Sequence, residues 1–153
     1  MIIVGIDPGV ANTGIAVINT EEKGMDARTI RPKNLGELHQ AIMQRLLHIK
    51  PQIVIIEGAL KFFSRSPFSH LAAYGVVTAV VELLSIPYKI YMPSQWKKIL
   101  FSKGNISKKE IYQFINMKIE VETQHEADAL CLAMAYIKDE EERVSIKGNK
   151  NGN

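Results

Sequence analysis

Two short runs of β-branched residues, each closed by an acid, constrain the fold of this chain more than anything else in it. Ile2-Ile3-Val4-Gly5-Ile6 leads into Asp7, and Ile53-Val54-Ile55-Ile56 leads into Glu57. Apolar runs of this length without polar alternation fit strands covered on both faces. Such strands need helices on either side, and the rest of the chain supplies them. Leu35, Leu38, Ile42, Leu46 and Ile49 recur at helical spacing and stop before Pro51. Further helices are expected over 68–84, from Pro93-Ser94, from Ser107 with Glu110 as its capping partner to about 117, and over 124–138. Strand character returns at 15–19, 28–31 and 88–91. Pro8-Gly9 and Asn12-Thr13-Gly14 make the first connection a tight antiparallel hairpin. The expectation is one α/β domain over 1–140 followed by a flexible polar tail, 141–153.

Charge is segregated along the chain. The net charge is only +3 over 153 residues, too mild to imply a nucleic-acid partner. Residues 28–118, however, hold fourteen Lys and Arg against four Glu, a net of +10. The two ends together carry five basic and twelve acidic residues, a net of −7.

Several function classes are excluded. The single cysteine, Cys131, allows no internal disulfide or thiol zinc site, and its apolar neighbours mark it as core. No basic leader precedes the first strand, and 71–81 is too short for a membrane span, so a cytoplasmic location is expected. Gly9 and Gly14 have P-loop spacing, but Ile15-Ala16 replaces the required Lys-Ser/Thr and leads into a strand. His39, His48, His70 and His125 lack zinc-ligand spacing, and there is no Gly-x-Ser-x-Gly elbow. An actin-like ATPase would need a second domain.

The candidates for chemistry are acids. Asp7 and Glu57 end two apolar strands, where ligands of β/α sheets bind. His125 and Asp128 are three apart and face one side of a helix start, with Asp128 preceding nine apolar residues. Each has a plain reading: Asp7 as a turn residue, Glu57 as exposed loop, Glu126 and Asp128 as acids at the positive end of a helix. Three such placements in one chain point instead to a shared site. Converging carboxylates in a basic protein suit Mg²⁺ or Mn²⁺, and two ions about 3.5–4 Å apart suit phosphodiester hydrolysis.

The ordered set of motifs resembles the RuvC family of Holliday-junction resolvases. The matching pieces are Gly5-Ile6-Asp7-Pro8-Gly9 with Thr13-Gly14, Ile55-Ile56-Glu57, Pro93-Ser94-Gln95-Trp96-Lys97, Lys103-Gly104-Asn105-Ile106-Ser107-Lys108-Lys109 and His125-Glu126-Ala127-Asp128-Ala129-Leu130. The resemblance implies an RNase H-like fold: a mixed five-stranded sheet, antiparallel in its first three strands and parallel beyond, flanked by helices. It also implies that Asp7, Glu57, His125 and Asp128 are the catalytic, metal-binding set, since the family has Asp or His where this chain has His125. Glu126 points about 100° away on the helix. The family's Glu is commonly followed by Gln, whereas Gly58 stands here, and loop spacing departs through 58–70.

Lys61, Arg65, Lys97, Lys98, Lys103, Lys108 and Lys109 are candidate phosphate contacts, and Phe62 and Phe63 candidates for stacking on unpaired bases. The resemblance makes the substrate a four-way DNA junction, cut to 5′-phosphate ends by paired nicks. Its two-fold symmetry implies a homodimer, for which the helix carrying Ala72, Ala73, Gly75 and Val76 is a candidate surface. Branch-migration machinery is a further expected partner. The alternatives are a nuclease for structured RNA and a junction-binding protein that does not cleave.

Overall fold

The computed structural model describes residues 1–58 and 67–150. Five strands, β1 (Ile2–Asp7), β2 (Thr13–Asn19), β3 (Gly24–Ile30), β4 (Ile53–Glu57) and β5 (Tyr88–Tyr91), form one sheet in the order β3-β2-β1-β4-β5. The first three are antiparallel neighbours; β4 runs parallel to β1, and β5 parallel to β4. This is the mixed sheet expected from the resemblance. β3 is longer than the 28–31 read from sequence. It lies at the sheet edge, where half-exposure blurs the apolar pattern.

Helices cover both faces. α1 (Leu35–Ile49) and α2 (Pro67–Leu83) pack on one side, against Val4, Ile6, Ile15, Val54 and Ile56. α3 (Pro93–Phe101), α4 (Lys108–Asn116) and α5 (Gln124–Lys150) pack on the other, with Ile3, Ala16, Ile18 and Ile55. The alternation within β1 and β4 assigns each residue to a face, so Asp7 and Glu57 follow Ile3, Gly5 and Ile55 toward α5.

The helix boundaries follow local chemistry. Asn34 caps α1 by accepting the Glu37 N–H at 2.9 Å, and Lys50, in the left-handed region at φ 52°, ends it before Pro51. Ser107 and Glu110 form the expected reciprocal capping box of α4. α5 runs well beyond the 124–138 read from sequence, so 141–150, expected as a tail, continue the helix. Arg143 pairs with Asp139 at 3.5 Å and Glu140 at 3.4 Å, one turn back, and supports the extension. Cys131 is fully buried within α5.

Two glycines let α5 press onto the sheet. A Cβ on Gly5 would lie 2.0 Å from the Ala129 carbonyl oxygen, and one on Gly14 would lie 2.0 Å from that of His125. The start of α5 therefore rests directly on β1 and β2, which brings the helix's first turn to the ends of the strands.

Candidate active site

Asp7 and Glu57 emerge side by side. Ile6 is in register with Ile56, so the next residue of each strand carries its carboxyl to the same sheet edge. The Asp7 side chain is buried, with only 6% of the residue exposed. From α5, His125 Nδ1 stands 2.7 Å from Asp7 Oδ2. One turn along, Asp128 accepts a 2.8 Å hydrogen bond at Oδ1 from Gln124 Nε2. Glu57 Oε1 accepts a 2.8 Å hydrogen bond from the indole N–H of Trp96 on α3.

The electrostatics record the crowding. Burial, then the charge of Asp7, pushes the Glu57 carboxyl well above the usual range, against the Trp96 hydrogen bond, which lowers it. Burial likewise lifts Asp128 to about 6; Asp7 adds to the rise, while the Gln124 bond and the charges of Lys97 and Lys108 oppose it. His125 is shifted up, first by its bond to Asp7 and against its own partial burial. The imidazole Nδ1 of His125 is thus the side-chain partner that Asp7 Oδ2 meets at the site.

All four acid and imidazole candidates come together here. Glu126 does not. It is 3% exposed, its carboxylate accepts from Thr29 Oγ1 at 2.8 Å and from the Glu122 N–H at 2.7 Å, and it ties the start of α5 to β3. Of the candidate lysines, Lys97 and Lys108 lie within electrostatic reach of Asp128. Lys98 instead lines a cleft of about 700 Å³ with Lys89, Asp139 and Arg143, Lys103 neighbours Glu110, and Lys109 is exposed. Lys61, Phe62, Phe63 and Arg65 lie outside the described residues. Two side chains at the site carried no assignment from sequence: Trp96, although its motif was noted, and Gln124, whose i, i+4 spacing to Asp128 was the available signal.

The donor set fits a divalent cation by its chemistry: hard carboxylate oxygens plus one imidazole, with negative charge left uncompensated. Among the described residues no three His, Cys, Asp or Glu side chains stand together at ion-coordinating positions.

The family model for crossover junction endodeoxyribonuclease RuvC matches residues 3–136, nearly the whole domain. The chain belongs to the RuvC family. The RuvC of Prochlorococcus marinus (strain MIT 9312) is 27% identical over 92% of this chain and 98% of its own length. The RuvC of Thermus thermophilus is 25% identical over 89% and 93%. A solved Thermus thermophilus RuvC structure superposes with a TM-score of 0.75 at 24% identity, covering 90% of this chain and 94% of that one. The Fowlpox virus resolvase bound to Holliday junction DNA shares the fold more distantly, with a TM-score of 0.64 at 14% identity. RuvC membership makes this chain a divalent-metal-dependent nuclease. No described helix is long and apolar enough to cross a membrane.

Proposed function

We propose that this protein resolves four-way DNA junctions by hydrolysing one phosphodiester in each of two opposed strands, leaving 5′-phosphate ends. The observation that carries the reading is the convergence of Asp7, Glu57, His125 and Asp128 at the ends of β1 and β4, beneath the first turn of α5. Asp7, Glu57, Asp128 and His125 would hold Mg²⁺ or Mn²⁺, two ions per site. Such ions supply Lewis-acid polarisation of the phosphate and ease charge development on attacking and leaving oxygens. The chain's own residues do the rest. His125 holds a proton at Nδ1 against Asp7 Oδ2 and keeps that carboxylate oriented. Gln124 fixes Asp128 without discharging it. Lys97 and Lys108 draw a phosphate toward the carboxylates; Lys98, Lys103 and Lys109 extend the grip on flanking backbone. On their sequence alone, Lys61 and Arg65 are proposed as phosphate contacts and Phe62 and Phe63 as stacking contacts in the opened junction centre.

A junction with two-fold symmetry calls for two sites. α2 presents the surface for a homodimer. Its outward face carries Phe68, Leu71, Gly75, Ala79 and Leu83, all exposed, while Ala73 turns into the core. Of the four residues named from sequence, Ala73 is thus part of the fold, and Gly75 offers the closest approach, with nothing within 4 Å of a Cβ there. A cytoplasmic location and cooperation with branch-migration machinery complete the proposal.

The deciding assay incubates wild type and Asp7→Asn with synthetic four-way junctions, linear duplex and structured RNA. Paired nicks in the junction by wild type, with binding but no cleavage by the variant, is the expected result. Cleavage of RNA alone, or junction binding without cleavage by wild type, overturns it in favour of the respective alternative.

A further inference from the structure

Trp96 is 1% exposed, an unusual state for a side chain this large. A buried indole has one N–H to satisfy, and a backbone carbonyl would serve. Here the N–H goes to Glu57 Oε1 at 2.8 Å, across 39 residues of sequence. Both ends of that bond are fixed by backbone. Glu57 is in register with Tyr91, and the Gly58 N–H bonds the Tyr91 carbonyl at 2.9 Å, so β4 and β5 end together. Pro93 starts α3 two residues later and sets where Trp96 falls. Among the described residues, the other group within hydrogen-bond reach of Glu57 is the carboxyl of Asp7, which crowds it.

We infer that Trp96 is a positioning residue for cation binding: its N–H fixes one oxygen of Glu57 and leaves the other directed to the site. The inference rests on the proposed role of Glu57 as a cation ligand. The chemical point is that an indole orients a carboxylate without neutralising it. A Lys or Arg in its place would form an ion pair and compete with the cation that the site needs. Packing accounts for the buried ring of Trp96 but not for its N–H, a buried donor that a purely apolar side chain would not bring. The indole therefore holds the carboxylate in place without adding a positive charge beside it.

The chain has a single tryptophan, so Trp96 emission reports on its own site. The test titrates Mn²⁺ into wild type and Trp96→Phe, following emission in wild type and calorimetric uptake in both, with melting in EDTA measured alongside. Losing an outer-shell partner of a ligand costs about 10–100-fold in metal affinity. The expected results are saturable quenching of Trp96 in wild type, an uptake midpoint raised by about that factor in the variant, and cleavage largely restored at saturating Mn²⁺. If Trp96→Phe does not fold, 3-benzothienylalanine at position 96 keeps the ring shape and removes only the N–H. An unchanged Mn²⁺ midpoint with a lowered melting temperature would make Trp96 a space-filling residue and end the inference. A wild type that takes up no Mn²⁺ overturns the reading of the site itself, which is a separate outcome.

Discussion

Gly14→Ala is a test of whether the catalytic geometry depends on how closely α5 approaches the sheet. The added methyl would lie 2.0 Å from the His125 carbonyl oxygen, 2.4 Å from its carbon and 3.1 Å from its Cα. All three are backbone atoms, so no rotamer change relieves the clash. Ordinary contact begins near 3.4 Å, and the first turn of α5 must retreat by about 1.4 Å to reach it. That turn is anchored to β3 through Glu126 and Thr29, and the retreat must carry His125 away from Asp7, now 2.7 Å distant. Overpacking of this kind costs about 1–3 kcal/mol of stability. Displacement by an ångström at a reacting centre costs about 100-fold in rate. The variant should therefore stay folded at 25 °C and nick a four-way junction about two orders of magnitude more slowly under single-turnover conditions. Urea unfolding measured in parallel separates the two effects. Gly24→Ala, where nothing lies within 4 Å of the new methyl, is the control and should cleave at the wild-type rate. A Gly14→Ala protein cleaving within about threefold of wild type would refute the claim that this contact sets the site.

Leu71→Arg places a charge on the outward apolar stripe of α2 and should convert a dimer to monomers by light scattering, with the melting temperature little changed; a wild type already monomeric would dispose of the idea. Because imidazole suits softer first-row ions, Mn²⁺ should support cleavage at least as well as Mg²⁺, and His125→Asp should shift the preference toward Mg²⁺. Activity confined to Mg²⁺ in wild type would contradict this. Burial opposes ionisation of Asp139, but hydrogen bonds from Lys89 and Tyr91, both 2.6 Å, outweigh it and hold the carboxyl below its usual range. Its stabilisation is present above the unfolded carboxylate pKa and lost as pH falls through the lower folded value. Asp139→Asn should melt below wild type at neutral pH, and the gap should close in acid; a gap independent of pH would count against the pairing.

Local chemistry made most of the fold readable. The 3.6-residue spacing of Leu38, Ile42 and Leu46 became the buried stripe of α1, and Ser107 with Glu110 became a capping box because both signals act within one turn. The meeting of Asp7, Glu57, His125 and Asp128 was legible in strand ends and helix spacing, whereas their reading as one metal-binding set came from the resemblance to the RuvC family. What stayed hidden depends on contacts distant in sequence or on sheet position. Trp96 meets Glu57 only through the docking of α3, and the extent of β3 is set by pairing with β2 rather than by its own mixed pattern. The continuation of α5 past 138 rests on ion pairs among polar residues, which carry no apolar periodicity. The lysines separate for the same reason: Lys97 and Lys98 are adjacent in sequence, yet a helix turns one toward Asp128 and the other toward the cleft at β5.

The three carboxylates are each held by a different kind of donor, and the differences matter. His125 meets Asp7 with a group that can carry charge, whereas Trp96 and Gln124 meet Glu57 and Asp128 with neutral N–H groups. Neutral donors orient without discharging, so the cost of crowding three acids is borne by the rest of the fold. The positive end of the α5 dipole, together with Lys97 and Lys108, relieves part of it from outside the carboxylate cluster. A phosphodiester arriving at this cluster brings further negative charge, which these groups cannot balance unaided. On the proposed function, cations seated among these acids supply that balance. On that same proposal, substituting a lysine for any one acid would ease the crowding and attract phosphate but remove a cation ligand, so the variant should bind a four-way junction in a gel shift and fail to nick it.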